Sequence, residues 1–501
     1  MEPTLLIRAD AGPDIGTGHV MRCLALAQGW QDAGGRVVFA TGHDLPGNVE
    51  RRLTSEGFRI ERIEGEPGSV RDVNLTRELA SRLNAEYTVL DGYRFRADYQ
   101  RTLKDAGQKL LVIDDYGRTG AYCADLLLDQ NCGTTEDLYV NRESGTQLLL
   151  GTEYTLLRRE FQPWREWKRQ HPEKGYSLLV TMGGADPDNF TVKIIEALKH
   201  LEIEGMDVTV LIGAANPHGA ALDAVVRGSG SIRLLRNVAN VPSLMARAHA
   251  AIICGGGTLW ELLFMRAAVL SYSRDAFQAK ALSQLADRGS VIWLGDVKQF
   301  DEARLLEQVT HVLTHRTCRE RMSNIAGTVV DGLGVQRVLG AMGVHISGLN
   351  KAVRMVSISA GDKDEFMRLA AQYFSELNPA FTPHADWREH YFENIQDSPD
   401  HFLRWIMDGT ERAGFILFGV ERHRFLPRET GVIYDLYVAP EYRKKGIAHR
   451  CAGQAIAELR SLGPRKIQLE TVEGNGNARA LWSSLGFEKV ADRFVLQEGG
   501  R

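Results

Sequence analysis

The residues Ile15-Gly16-Thr17-Gly18-His19-Val20-Met21-Arg22-Cys23 combine a glycine-rich turn with a group that can move a proton. They follow an apolar run, Leu5-Leu6-Ile7, that reads as a strand, and precede residues 24–30, which read as a helix. A strand, a glycine turn and a helix start aim free backbone N–H groups and the helix dipole at one point, which suits an anion. Gly16 and Gly18 let the backbone approach a ligand closely. His19 stands at the lip of the turn, and imidazole is suited to proton transfer near neutral pH. A helix-capping loop with a surface histidine is the plainer alternative. Gly255-Gly256-Gly257-Thr258 repeats the pattern after residues 251–254. Its N–H groups and one hydroxyl can cradle a diphosphate, and Glu261, one turn into the helix, can accept hydrogen bonds from ribose hydroxyls. A third turn, Arg443-Lys444-Lys445-Gly446-Ile447-Ala448, adds positive charge to a helix start and suits a pyrophosphate.

These turns need elements to hold them. Up to about residue 160, apolar runs at 37–40, 87–90, 110–113 and 126–128 alternate with helical spacing at 77–83 and 99–106. That alternation predicts a parallel sheet with helices on both faces, whose ligands gather at the carboxyl ends of the strands. Two of the runs end in Asp91-Gly92-Tyr93 and Asp114-Asp115-Tyr116. These acids and tyrosines would line a cleft with His19, although Asp91 and Asp114 would equally serve as caps of helices or turns. Residues 151–167 turn polar and aromatic and read as a crossover. Strands at 177–182, 208–212, 232–235 and 251–254 then restart the alternation, the first running into Gly183-Gly184-Ala185-Asp186-Pro187-Asp188-Asn189. Two glycine turns in successive α/β halves suggest two facing sheets with a nucleotide and its substrate between them.

From residue 355 the texture changes. Strands at 355–359, 402–407, 413–420 and 432–438 suggest an antiparallel sheet, with helices at 362–374 and 383–395. A helix running to 462, a strand at 466–471 and a helix over 475–487 complete it. The expected division is 1–160 and 161–335 as two Rossmann-like lobes, 336–353 as a linker, and 354–501 as an α+β domain.

Composition bounds the partners. A net charge of −4 gives no basic footprint for nucleic acid or for a membrane surface. The six cysteines form no CxxC pair, so neither a disulfide framework nor a zinc site is expected. Residues 250–273 are the most apolar, but Glu261 and Arg266 interrupt them, so they read as buried strand plus helix, not a membrane span. Met1-Glu2-Pro3 opens no signal peptide, which makes the cytoplasm the expected compartment.

The order of motifs in the first 340 residues resembles the UDP-2,4-diacetamido-2,4,6-trideoxy-β-L-altropyranose hydrolases of pseudaminic acid biosynthesis. That family is similar to glycosyltransferase-B-like two-domain enzymes. The resemblance rests on Arg8-Ala9-Asp10, the stretch from Ile15 to Leu24, Asp91-Gly92-Tyr93, Ile113-Asp114-Asp115, Leu149, Gly151, Tyr154, Leu157, Arg158, Gly183-Gly184, Asp186, Asn189, Gly255-Gly256, Thr258 and Glu261. It implies hydrolysis of the anomeric C–O bond of a UDP-linked diacetamido sugar, with no metal. His19 would polarise the attacking water, with Tyr93 beside it. Gly16, Gly18, Arg22, Asp91, Gly184, Asp186, Asn189, Gly256, Gly257, Thr258, Glu261 and Gln278 would contact the substrate. Where the family carries an Asn-Gln pair, this chain has Phe277-Gln278, so the glutamine fits and the asparagine is missing.

Residues 354–496 resemble the GCN5-related N-acetyltransferases, on Arg443-x-x-Gly446-x-Ala448 and on Asn475-x-x-Ala478-x-x-Leu481-Trp482-x-x-x-Gly486-Phe487. This implies acetyl-CoA as co-substrate. Leu436, Val438, Arg443, Lys444, Lys445, Gly446, Ile447, Ala448, Asn475 and Trp482 would hold it. The family often uses a tyrosine acid where this chain has Trp482, and indole cannot titrate. Tyr434, Tyr437 or water would take that place, and Asp435 and Glu470 are candidate bases or structural groups. Together the resemblances imply a bifunctional enzyme that acetylates a UDP-amino sugar and then removes UDP. The rivals are a glycosyltransferase with an appended acetyltransferase and a non-catalytic nucleotide-sugar binding protein.

Overall fold

The computed structural model describes residues 2–12, 15–165, 167–213, 216–236, 238, 240–344, 353–378, 381–398, 400–408, 411–422, 429–443, 446–462, 464, 466–472 and 474–490. The chain divides into two compact units, Met1–Lys351 and Ala352–Arg501. In the first unit β1 (Thr4–Ala9), β2 (Arg36–Thr41), β3 (Arg59–Arg62), β4 (Ala85–Asp91), β5 (Leu110–Ile113), β6 (Leu126–Asp129) and β7 (Gln147–Leu150) form one sheet. Its order is β3-β2-β1-β4-β5-β6-β7, and every pairing is parallel. All six residues of β1 are buried, as expected for a strand covered on both faces. Strand order reverses between β1 and β4, and in such sheets the crevice outside the carboxyl ends at that point takes the ligand.

A second parallel sheet follows: β8 (Ser177–Thr181), β9 (Asp207–Ile212), β10 (Ile232–Arg236), β11 (Ala250–Cys254), β12 (Ala268–Ser273) and β13 (Val291–Asp296). Its order, β10-β9-β8-β11-β12-β13, places the reversal between β8 and β11. Both glycine loops of this lobe, after β8 and after β11, therefore lie at its switch point.

The stretch read as a linker from residue 336 begins differently. Helix Gly334–Ala341 buries Val335, Val338 and Leu339, and Met342 is buried just beyond it; these four pack into the first lobe's core with Ile7, Leu26 and Trp30. Their spacing, three or four residues apart, gives the helix one apolar stripe. The chain thus crosses to the second lobe and returns. The two crossings touch: a Cβ on Gly334 would lie 2.1 Å from the Thr155 carbonyl oxygen. Residues 345–352 of the expected linker lie outside the described residues.

The second unit holds β14 (Val353–Ser357), β15 (His401–Asp408), β16 (Glu411–Arg422), β17 (Glu429–Val438) and β18 (Lys466–Leu469), in sequence order across one sheet. Pairing is antiparallel from β14 to β17, and β18 joins β17 in parallel. β18 pairs only with Thr430–Ile433 of β17. On the other edge of β17 the register slips, so that Leu417 faces Asp435 and Phe418 faces Ile433, leaving Tyr434 as the extra residue. The fold is thus two doubly wound α/β lobes followed by an α+β domain with a mixed sheet.

Candidate active site

At the β1/β4 switch point the first lobe gathers an ionic network. Helix Gly18–Asp32 begins inside the glycine turn, which puts His19 in its first turn and Arg22 one turn further on the same face. His19 Nδ1 donates to Asp91 Oδ1 at 2.6 Å. Arg22 donates to both oxygens of Asp91, each at 2.7 Å, and to both oxygens of Asp115, at 2.8 and 3.1 Å. The Tyr93 hydroxyl donates to Asp115 Oδ2 at 2.8 Å, and Asn131 Nδ2 to Asp115 Oδ1 at 2.7 Å. The Tyr93 ring meets the His19 ring edge-on, with centroids 5.1 Å apart.

Asp91 is wholly buried. Burial alone would push its carboxyl up, but the Arg22 guanidinium and His19 overcome that and hold it well below the usual carboxylate range. Burial likewise opposes ionisation of Asp115, and Arg22 brings it down to about 2. An ionised Asp91 must be met by N–H at Nδ1, so Nε2 keeps the lone pair and can accept a proton. Burial and the charge on Asp115 push the Tyr93 phenol well above its ordinary value, which keeps it a donor.

Within the opening turn the glycines divide their work. Gly16, at φ 73°, exchanges backbone hydrogen bonds with Gly12, so its own N–H is taken up inside the turn. At Gly18 a Cβ would meet open space. Asp114 accepts from Thr119 Oγ1, the Tyr122 hydroxyl and the Arg118 N–H, at 2.8, 3.0 and 3.1 Å. It anchors a loop, whereas its neighbour Asp115 faces the His19 network. Asp115 thus joins His19 as expected of the acids after β5, and Asn131, which the sequence did not single out, extends the site.

The second lobe meets this turn directly. A Cβ on Gly184 would lie 2.6 Å from Thr17 Oγ1 and 3.1 Å from the Thr17 nitrogen, so any side chain there would have to push Thr17 aside. Asp186 accepts from the N–H groups of Phe190 and Thr191 and from Thr191 Oγ1, and takes Arg274 Nη2 at 3.0 Å. It caps helix Phe190–Leu198 and holds Arg274 in place. Asn189, in the left-handed region at φ 51°, has a buried Oδ1 with no hydrogen-bond partner among the described residues. Gly256 has φ 141°, and at Gly256 and Gly257 a Cβ would meet open space at the start of helix Gly257–Phe264. Gln278 Oε1 accepts from the Arg274 N–H at 3.0 Å and lies against Gly255. Glu261 pairs with Arg158 Nη2 at 2.9 Å; burial raises its carboxyl, and Arg158 opposes that rise.

A cleft of about 620 Å³ opens beside this network, lined by Tyr93, Arg96, Gly117, Arg118, Thr119 and Phe277. Arg118, which the sequence did not single out, reaches the second lobe at Asp275 Oδ2, 2.7 Å away.

In the second unit, Gly446 at φ 67° opens helix Ile447–Ser461, and Ile447 is buried beneath it with Ala448 half-buried. Arg443 Nε donates to the Val438 carbonyl at 2.7 Å, and Arg443 Nη2 pairs with Glu376 at 2.6 Å. Lys444 and Lys445 lie outside the described residues. Among the described residues β17 makes no pairing with β18 past Ile433, so on that side the backbone from Tyr434 through Leu436 to Val438 has no strand partner. Asp435 lies on this stretch. Burial raises its carboxyl, while hydrogen bonds from Tyr373 and Tyr391 oppose that rise; the Tyr391 hydroxyl is 3.3 Å away. Burial pushes the Tyr437 phenol up to about 12, and its hydroxyl donates to Glu376 Oε1 at 3.1 Å. Glu470, expected on a strand, is exposed one residue past the end of β18. Asn475 Oδ1 caps helix Gly476–Ser484 through the Ala478 N–H, and the Trp482 indole packs into the core edge-on to Phe487.

Among the described residues no group of three or more His, Cys, Asp or Glu is arranged to hold a metal ion, and no helix is long and apolar enough to cross a membrane. Residues 364–487 match the acetyltransferase (GNAT) family. The chain is 24% identical over 338 residues to the spore coat polysaccharide biosynthesis protein SpsG of Bacillus subtilis, covering 66% of this chain and 95% of SpsG. It is 27% identical over 289 residues to the UDP-2,4-diacetamido-2,4,6-trideoxy-β-L-altropyranose hydrolase of Campylobacter jejuni, covering 57% of this chain and 97% of that enzyme. The crystal structure of MurG from Acinetobacter baumannii aligns with a TM-score of 0.48 at 16% identity, over 68% of this chain and 99% of MurG. The chain is thus similar to a UDP-sugar hydrolase for most of its length and carries, toward its carboxyl end, a domain that matches the acetyltransferase (GNAT) family.

Proposed function

We propose that the first unit hydrolyses the anomeric C–O bond of a UDP-linked 2,4-diacetamido-2,4,6-trideoxy sugar, and that the second N-acetylates an amino sugar with acetyl-CoA, in a pseudaminic-acid-type route. The observation that carries the first half is the His19–Asp91–Arg22–Asp115 network at one switch point, abutted at Thr17 by the glycine loop of the second lobe. His19 Nε2 takes a proton from water as the water oxygen attacks the anomeric carbon. Asp91 fixes the tautomer and stabilises the imidazolium that forms. The bond to the diphosphate oxygen breaks, and UDP leaves with the electron pair. The N–H groups at Gly256 and Gly257 and the Thr258 hydroxyl receive the charge on the departing diphosphate. Arg22 keeps Asp91 and Asp115 ionised, and Tyr93, held by Asp115, lines the sugar end of the cleft.

For the second half, acetyl-CoA is the co-substrate that the family match implies. The open edge of β17 and the turn before helix Ile447–Ser461 would hold its arm and pyrophosphate. Asp435, half-buried beside that edge, would accept the proton of the acceptor amine, and Tyr437 or water would protonate the departing thiolate. The assay for the first activity is UDP release from the UDP-diacetamido sugar. No release above a His19→Ala control rejects the hydrolase. Release of free CoA thiol across a panel of UDP-amino sugars tests the second, and a panel giving none rejects it.

A further inference from the structure

Residues 115–119 form a loop held through three successive backbone N–H groups. The Tyr116 N–H donates to Asp129, the Gly117 N–H to the Tyr139 hydroxyl and the Arg118 N–H to Asp114. Tyr116 is held at φ 61°, a conformation bulky side chains avoid and structures keep where function requires it. Its ring stacks on Phe277 of the second lobe, with centroids 5.7 Å apart and planes 15° apart. The same loop presents Arg118. Its guanidinium lies 4.9 Å from the Tyr93 ring centre and 4.8 Å from that of Phe277, a cation held between one aromatic face from each lobe.

The ion-pair partner of Arg118 is Asp275, which caps helix Ala276–Asp287 by accepting from the Gln278 N–H. Gln278 in turn lies against Gly255, the first glycine of the diphosphate cradle. Arg118 is therefore linked to that cradle through Asp275 and Gln278, although it belongs to the opposite lobe. The pair with Asp275 is partly exposed, and such pairs are weak and readily exchanged. A diphosphate offers more charge and matches the planar fork of a guanidinium.

We infer that Arg118 is a leaving-group residue supplied by the first lobe: it rests on Asp275 and moves to the diphosphate of a bound nucleotide. This rests on the nucleotide-sugar reading above and names the cation that neutralises the departing phosphates. No covalent step is added. The arginine exchanges one anionic partner for another, while the two aromatic faces limit how far it can swing.

The test is calorimetric titration of UDP and of uridine into the full chain, comparing wild type with Arg118→Gln and Asp275→Asn. Asparagine still caps the helix, so Asp275→Asn removes the resting charge and keeps the fold. Arg118→Gln should weaken UDP about tenfold or more, the usual scale for a charged hydrogen bond, and leave uridine unchanged. Asp275→Asn should tighten UDP several-fold, on the order of what a partly exposed ion pair contributes. Equal UDP affinity in wild type and Arg118→Gln overturns the inference and leaves the nucleotide-sugar reading intact. An equal loss of uridine and UDP affinity overturns it in favour of a lobe-positioning role. Failure of wild type to bind UDP removes the reading on which it rests.

Discussion

Asp91→Asn is the sharpest test of the first site. The wild-type carboxylate receives one hydrogen bond from His19 at 2.6 Å and two from Arg22 at 2.7 Å, and it is fully buried. Asparagine has one acceptor oxygen, so its NH2 group would face either Arg22 Nε alone or both His19 Nδ1 and Arg22 Nη2, which share Oδ1. If the oxygen stays with Arg22 Nε, the amide N–H points at Nδ1 and forces the proton onto Nε2. The base is then blocked while the fold is kept. The corresponding change in a serine protease triad lowers kcat by about 10⁴, and about 10³–10⁴ is expected here, or about 4–5.5 kcal/mol on the barrier. Arg22 keeps both bonds to Asp115, so the accompanying loss of stability should be about 1–3 kcal/mol, the cost of a buried donor left unsatisfied. The assay is single-turnover UDP release, with UDP affinity by calorimetry and a urea melt to show that the variant is folded. A double variant with His19→Ala should be no slower than His19→Ala alone, because the two residues act as a unit. A folded Asp91→Asn protein within tenfold of wild-type kcat would refute the assignment of His19 Nε2 as the base.

Burial, together with the charge on Asp115, pushes the Asp129 carboxyl up to about 6. A raised acid binds more protons folded than unfolded between its ordinary value and 6, so its contribution to stability is present at low pH and lost as pH rises through that window. Urea melts should therefore show wild type losing ground to Asp129→Asn between pH 4 and pH 7, by up to about 3 kcal/mol; a gain with rising pH would be the opposite sign. In the second unit, Tyr391→Phe removes a donor that lowers the Asp435 carboxyl. The acid limb of acetyl transfer should move to higher pH, whereas an unshifted profile would count against Asp435 as the base. Gly184→Ala places a methyl group 3.1 Å from the Thr17 nitrogen. The resulting displacement of the lobes should cost about tenfold in kcat/KM for UDP release, and unchanged kinetics would show that this contact does not set the cleft.

Much of the architecture was readable because parallel strands buried on both faces are short apolar blocks, and 5–7, 37–40 and 110–113 stand out as such. β3 did not, since Arg59-Ile60-Glu61-Arg62 lies at a sheet edge and carries three charged residues, none of them fully buried. Helix Gly334–Ala341 was hidden by its glycines, although the spacing of Val335, Val338 and Leu339 carries its apolar stripe. At the site, His19, Arg22, Asp91 and Tyr93 come together because each follows or opens an element at a switch point, a rule that works on sequence alone. Asp115 was harder: of two adjacent aspartates, one anchors a loop and one faces the histidine network, and only the backbone direction after β5 distinguishes them. Arg118 carries no motif at all. Its position depends on a strained Tyr116 and on a partner 157 residues away. Gly16 and Asp186 show the reverse case, where a motif residue shapes the chain and its polar atoms are already engaged.

The return of helix Gly334–Ala341 decides where the protein can be cut. Val335, Val338, Leu339 and Met342 are almost fully buried against the first lobe. At about 1.5–3 kcal/mol for each buried aliphatic side chain, they contribute on the order of 6–12 kcal/mol, comparable with the whole net stability of a domain. A polypeptide ending at residue 333 would uncover the face of helix Gly18–Asp32 at Gly29, where Val335 and Leu339 pack, and should aggregate, and so should the first lobe expressed by itself. One ending at residue 344 keeps the stripe and should remain in solution without the acetyltransferase domain. The amino-terminal lobe is therefore completed only when the ribosome has already made the other lobe, and its folding must wait on synthesis of the residues that close it.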